Sequence, residues 1–292
     1  FPDVAATNPS DDVVKAAAAD GQPALAITDL NNLFGAIKFY KAARGAGVKP
    51  VIGAELVLQG LGKDDGALSR IVVLVQNRAG YLNLCEVLAR AWTRNVVRAQ
   101  AVCKLEWLRE PGEGLIVLSG AQAGPVGQAL VQGDASRASQ VALELASIFP
   151  HRFYLEIQRA GRADDETHVA AAVQLAANLK LPVVATHPVQ FTTQDDYEAH
   201  EARVCISVGE ILGNQRRVRK FTREQWFKPA AEMEALFADV PTAVANTAEI
   251  ARRCNLTLDL GKPRLPNFPT PNGMPMEEYF RFASHEGLKE RM

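Results

Sequence analysis

The sequence predicts an α/β protein built on a β/α barrel. Short apolar runs recur between longer helical patterns, the runs are apolar almost throughout rather than alternating, and no glycine-rich phosphate loop follows any of them. Six runs read as buried strands: 24–28, 51–58, 71–75, 114–118, 153–157 and 182–186. Helical patterns at 33–46, 80–91, 135–149 and 166–180 lie between them, the alternation expected of a parallel sheet covered on both faces. Periodicity alone fits an open doubly wound sheet equally well. The lack of GxGxxG and GxxxxGK[ST] motifs, the usual cradles of nucleotide-binding open sheets, favours the barrel.

After Phe191 the pattern becomes helical, at 195–208, 231–237 and 242–253. Between the first two of these lies a basic loop with Arg216, Arg217, Arg219 and Lys220, and Thr222 with Gln225 reads as a capping box for a short helix. Residues 260–273 carry four prolines and read as a linker, followed by a helical pattern from 277 to 292. The chain starts at Phe1 and ends inside that pattern, so it reads as a fragment.

Composition narrows the function classes. In 292 residues, 48% are hydrophobic, enough for one large core plus a small appendage. Lys+Arg 32 against Asp+Glu 33 leaves a formal charge of -1, without the excess that drives non-specific attraction to phosphate backbones. Cys85, Cys103, Cys205 and Cys254 are scattered and read as reduced, buried thiols. No apolar run approaches a bilayer span and no signal segment opens the chain, so a cytoplasmic setting is expected. Trp92, Trp107 and Trp226 are read as not interleaved with basic residues, so no single-strand stacking platform is expected.

The segment Pro23-Ala-Leu-Ala-Ile-Thr-Asp29-Leu30-Asn-Asn-Leu-Phe-Gly35, with Lys38-Phe-Tyr-Lys-Ala-Ala43 and Gly47-Val-Lys-Pro-Val-Ile-Gly-Ala-Glu55, resembles the start of the bacterial polymerase III alpha subunits. Asn77-Arg-Ala-Gly-Tyr-Leu-Asn-Leu84, Phe153-Tyr-Leu-Glu156, Leu181-Pro-Val-Val-Ala-Thr186 and Pro263-Arg-Leu-Pro-Asn-Phe-Pro269 follow in the family's order. Only 1–12 and 96–103 fall outside the resemblance. It implies a distorted seven-stranded PHP barrel (polymerase and histidinol phosphatase) over residues 1–262, with a linker and the first helix of the polymerase palm region at 263–292. The seventh strand would fall within residues 2–10.

Active PHP proteins hold up to three divalent ions at the strand C-terminal ends, where two metals can activate water and neutralise a leaving oxygen. Transferred residue by residue, the ligand pattern is largely missing. No His precedes His151; Leu30 stands where an imidazole belongs, Arg70 where another does, Ala121 where a Cys or His can serve, and Pro188 and Gln190 replace an Asp-x-His pair. Only Glu55 remains, as a vestigial ligand with no bound metal expected; His187, beside the lost Asp position, could substitute for it but reads as a hydrogen-bonded strand-end residue. Asp29 reads as the cap of the following turn, His200 as a residue for packing or an interhelix hydrogen bond, and His151 and His168 as solvated.

The resemblance therefore implies a catalytically inactive platform in a DNA-directed DNA polymerase. It would pack on the palm and thumb of its own chain and hold the proofreading exonuclease subunit, and it would meet DNA only in the whole enzyme; the basic loop of Arg216, Arg217, Arg219 and Lys220 reads as solvated, contact with template phosphates being the alternative. The magnesium ions of polymerisation would lie beyond Met292, with no cofactor in this chain. The competing expectation is a working metal-dependent phosphoesterase or 3'-5' exonuclease. An unrelated barrel enzyme is the third; no Gly-x-Ser-x-Gly motif supports it.

Overall fold

Apolar, β-branched runs and helix-forming segments alternate along the chain, and the computed structural model turns that alternation into a curled sheet flanked by helices. It describes residues 10–61, 67–110, 112–214, 216–263 and 267–292. In chain order, α1 (Ser10–Ala19) leads to β1 (Ala24–Leu30), α2 (Ala36–Gly45), β2 (Lys49–Gln59), β3 (Leu68–Val75) and α3 (Arg78–Arg94). A small hairpin of β4 (Val96–Val97) and β5 (Gln100–Ala101) runs through β6 (Cys103–Lys104) and α4 (Glu106–Arg109) into β7 (Leu115–Leu118). Then come α5 (Pro125–Val131), α6 (Ala135–Ile148), β8 (Phe153–Gln158), α7 (Asp165–Leu179) and β9 (Val183–Thr186). The helices α8 (Tyr197–Val208), α9 (Ala230–Leu236), α10 (Pro241–Arg253) and α11 (Met276–Arg291) follow.

All six expected strands form, in the order β1-β2-β3-β7-β8-β9, with β6 added against β2. The sheet is mostly parallel, as a barrel of this kind requires, but β3 runs antiparallel to both β2 and β7. That departs from the uniformly parallel expectation for a simple reason. Only residues 60–67 separate β2 from β3, too few for a crossover helix, so the chain turns straight back. Among the described residues no ladder joins β1 to β9. The seventh strand expected within 2–10 lies outside the described residues, except that Ser10 opens α1.

The ends of the helices follow local chemistry. Asn77 accepts from Gly80 N at 3.0 Å to cap α3, and Asp134 accepts from Arg137 N at 3.0 Å to cap α6. A Cβ on Gly80 would lie 1.9 Å from Gly114 O, so α3 reaches β7 this closely only because Gly80 lacks one. Thr222 and Gln225 do meet, Thr222 N donating to Gln225 Oε1 at 3.0 Å, but they close a turn and not the expected helix. The turn runs straight into the Phe191–Trp226 bridge, whose extended pairing leaves no room for helical continuation.

One core cluster joins Val51, Leu74, Ile116, Leu118, Tyr154 and Val184 of the sheet to Ile250 and Cys254 at the end of α10. All four cysteines are free thiols; Cys103, Cys205 and Cys254 are buried and Cys85 is half-buried. Burial pushes the Cys103 thiol up to about 12 and the Cys254 thiol up to about 11, so neither is a thiolate at neutral pH. Residues 1–257 and 258–292 are two separate compact units. In the second, the rings of Phe268 and Tyr279 stack at 5.9 Å, and α11 exposes Phe280 and Phe282. Among the described residues no helix is long and apolar enough to cross a membrane.

Candidate functional site at the strand ends

Parallel strands bring their C-terminal ends to one rim, and β3 brings its beginning to the same rim because it runs the other way. Leu30 pairs with Glu55 across β1 and β2, and Val57 pairs with Arg70 across β2 and β3. The result is an ion pair: Arg70 Nη1 lies 3.3 Å from Glu55 Oε2, both side chains part-exposed. A fixed guanidinium thus sits on the one carboxylate that the ligand pattern retained.

Glu156, on β8, is the carboxylate that sequence reasoning missed. It is 2% exposed, and its signal was a lone acid in the apolar run Phe153–Gln158. Its Oε2 accepts from Gly120 N at 2.9 Å; its Oε1 accepts from Thr186 Oγ1 at 2.5 Å and from Gln158 Nε2 at 3.2 Å. Ser119 Oγ accepts from the Glu156 backbone N at 2.9 Å. Burial raises the Glu156 carboxyl above the ordinary range, the three hydrogen bonds oppose that shift, and the nearby Glu55 charge adds to it. Gly120 has φ +82, and a Cβ there would lie 1.9 Å from Arg70 O, so the β7 turn can approach β3 only as glycine.

The other positions of the ligand pattern are occupied differently. Ala121 is buried, and Pro188 O accepts from Gln225 Nε2 at 3.0 Å. The Gln190 backbone N donates to Gln225 O at 2.7 Å. His187 Nε2 is 2.7 Å from Glu224 O, its Nδ1 is buried without a partner, and burial lowers its pKa. Asp29 Oδ2 accepts from Gly35 N at 3.0 Å, closing the turn after β1. Among the described residues no group of three or more His, Cys, Asp and Glu side chains is placed to hold a metal ion.

Beside this rim a cavity of about 390 Å³ is lined by Arg159, Arg162, Glu166, Glu224 and Lys228. Arg159 is held by both Glu166 and Asp239, and Lys228 lies 2.9 Å from Glu224. Among the described residues Arg162 Nη1 reaches only the amide oxygens of Gln122 and Gln158, both at 3.3 Å.

Two residues read as solvated, His168 and Arg217, turn inward, while His200 packs as expected. His168 is 2% exposed, and burial drives its pKa down to about 4, because it faces the core from the first turn of α7. His200 is fully buried, with ring centroids 5.6 Å from Phe191 and 4.8 Å from Phe221, and among the described residues neither nitrogen has a partner, so it packs and makes no interhelix hydrogen bond. Arg217 leaves the basic loop to meet the fully buried Glu201 at 2.5 Å, so three cations and not four face solvent there. Two of the three tryptophans do associate with cations: Lys104 lies over Trp107 at 5.6 Å and Lys228 over Trp226 at 4.5 Å, each only two or three residues away in the chain, against the reading that the tryptophans are not interleaved with basic residues.

A family profile described as the PHP domain matches residues 3–160. Among curated relatives, "DNA polymerase III subunit alpha" of Pseudomonas aeruginosa is 46% identical over 280 residues, covering 96% of this chain and 24% of that protein. The subunit of the same description from Neisseria meningitidis serogroup A is 47% identical over 277 residues, covering 93% and 24%. That of Escherichia coli K12 is 44% identical over 282 residues, covering 96% and 24%. The chain therefore spans about a quarter of the length of these relatives.

Proposed function

This chain belongs to the PHP domain family and is homologous to the DNA polymerase III alpha subunits, and we propose that it is the N-terminal PHP module of a replicative DNA polymerase, with a degenerate metal site. In that role it is a structural and docking platform. It packs on the palm and thumb of its own chain and carries the proofreading exonuclease subunit. DNA synthesis, with its magnesium ions, belongs to the polymerase region outside these residues, and this chain alone is catalytically inactive. The cytoplasm is its setting, as a replication protein.

One observation carries the loss of the metal site: the Arg70 guanidinium sits 3.3 Å from the Glu55 carboxylate. A divalent ion at Glu55 would have to displace that cation or tolerate its repulsion. The second carboxylate, Glu156, spends its oxygens on Gly120, Thr186 and Gln158. The side chains of Leu30 and Ala121 offer no lone pairs. This donor set does not fit a two- or three-metal cluster.

Metal analysis of protein purified without chelator tests the reading. Sub-stoichiometric zinc and manganese are expected. One or more ions per chain, lost on Glu55→Ala, would restore the competing phosphoesterase or exonuclease. The platform role is tested separately, by pull-down of the exonuclease subunit; no retention would count against it.

A further inference from the structure

The turn after β1 and the hairpin after α3 are bound together by one residue. Asn31 is 2% exposed; its Nδ2 donates to Ala101 O at 2.9 Å, its Oδ1 accepts from Val57 N at 3.0 Å, and its backbone O accepts from Trp92 Nε1 at 2.7 Å. Trp92 is thereby fixed in orientation while 46% exposed. Three residues beyond Asn31, Phe34 is 89% exposed, on a turn held by Phe34 N donating to Asn32 Oδ1 at 3.0 Å. Phe34 is thus held almost wholly in water on a braced backbone, and nearly half of the Trp92 surface stays open.

The hairpin beside them is strained at its tip. Val97 pairs with Gln100, and the two residues between, Arg98 and Ala99, have φ of 50° and 65°. A two-residue turn of this kind ordinarily takes Asn-Gly. Arginine and alanine there hold a conformation that L side chains rarely adopt, and such strain persists where the position of the side chain matters. The charge of the same region is uncompensated. Glu86 and Glu110 are both held by Arg90, and Glu106 faces Lys104 at 3.9 Å. Among the described residues Arg94 and Arg98 are exposed and in no ion pair.

The Phe34 turn and Trp92 are joined through Asn31, and the unpaired Arg94 and Arg98 follow Trp92 within six residues of chain; rings and cations on these linked segments complement a polymer that carries both planar rings and phosphates. We propose that Phe34, Trp92, Arg94 and Arg98 form a surface for single-stranded DNA, with bases stacking on the two rings and phosphates meeting the two guanidiniums. The inference rests on the polymerase reading only in choosing DNA over RNA. The surface is distinct from the Glu55–Arg70 pair and needs no metal.

The test is fluorescence anisotropy of a labelled oligo(dT) with the 292-residue chain, between about 50 and 200 mM salt. Binding at low salt is expected. Phe34→Ala, which removes no packed side chain, is expected to weaken it about 10-fold, as for one stacked base lost. Arg98→Ala is expected to weaken it and to lower the salt slope by about 1. No binding at the lowest salt overturns the proposal, as does binding that neither substitution changes in chains with wild-type melting curves. Loss with Arg98→Ala alone, with heparin competing equally against wild type and Phe34→Ala, would mean charge without stacking and also overturns it. Metal content and exonuclease pull-down are independent of this assay, so the surface can fail while the polymerase reading stands.

Discussion

Arg70 and Glu55 face each other at 3.3 Å across neighbouring antiparallel strands, at the position where the family pattern would place two metal ligands. The pair is part-exposed, so its contribution to stability is small, within about 1 kcal/mol. Glu55→Ala in the full-length polymerase is therefore expected to leave nucleotide incorporation nearly unchanged. A steady-state primer-extension assay measures this, and a large loss in a protein that still melts normally would show that the carboxylate has work beyond its arginine.

Glu156 is predicted to matter for stability instead. Glu156→Ala leaves the Gly120 N–H and the Thr186 hydroxyl without their acceptor in a buried site, which costs about 1–3 kcal/mol. Urea titration should show a lower midpoint with an unchanged slope. An unaltered midpoint would mean that water replaces the carboxylate without cost.

Acid should weaken the fold through its buried imidazoles. His168 titrates near 6.5 when unfolded but is held down to about 4 in the fold, so the unfolded chain takes up the proton first. Its contribution is complete above about pH 6.5 and lost progressively as pH falls towards 4, on the order of 3 kcal/mol in all. His187 and His200 are lowered by burial and act with the same sign. Glu156 acts oppositely: its contribution is present at low pH and fades as pH rises through its raised value. Denaturant midpoints at pH 7 and pH 5 should differ, and His168→Gln should narrow the difference.

Arg217→Ala should lower the melting temperature, because the fully buried Glu201 then has no counter-charge. Replacing both, Arg217→Met with Glu201→Gln, should recover much of the loss. If the single and double variants melt alike, desolvation of Glu201 is not the cause.

Gly120→Ala should damage the rim severely. It places a Cβ within 1.9 Å of Arg70 O at a residue with φ +82. Soluble expression and the circular dichroism melt report the outcome, and wild-type stability would mean that the turn shifts freely.

The strands were legible because their whole length is apolar, which is what double-sided burial demands of a sequence. The direction of β3 was not, since an apolar run carries no arrow; only the short 60–67 connection encodes it. The 96–101 hairpin escaped notice because its strands are two residues long and its turn is Arg-Ala rather than Asn-Gly. At the rim, Glu55 and Arg70 could be placed from the family resemblance. Glu156 could not, because its role depends on Gly120 and Thr186, brought in from other strands. His168 and Arg217 were misread as solvated because polarity says nothing about which helix face or loop a neighbour covers.

The reversal of β3 also orders events in time. Glu55 and Arg70 are close in the chain and meet across a hairpin, whereas Glu156 must await Thr186 after an intervening helix. Loops that close over fewer residues close sooner, so the β2–β3 ribbon should act as the template on which the later crossovers assemble. Pulse-labelled hydrogen exchange during refolding would then protect amides of β2 and β3 ahead of those in β8 and β9; simultaneous protection would mean that the sheet condenses as one unit.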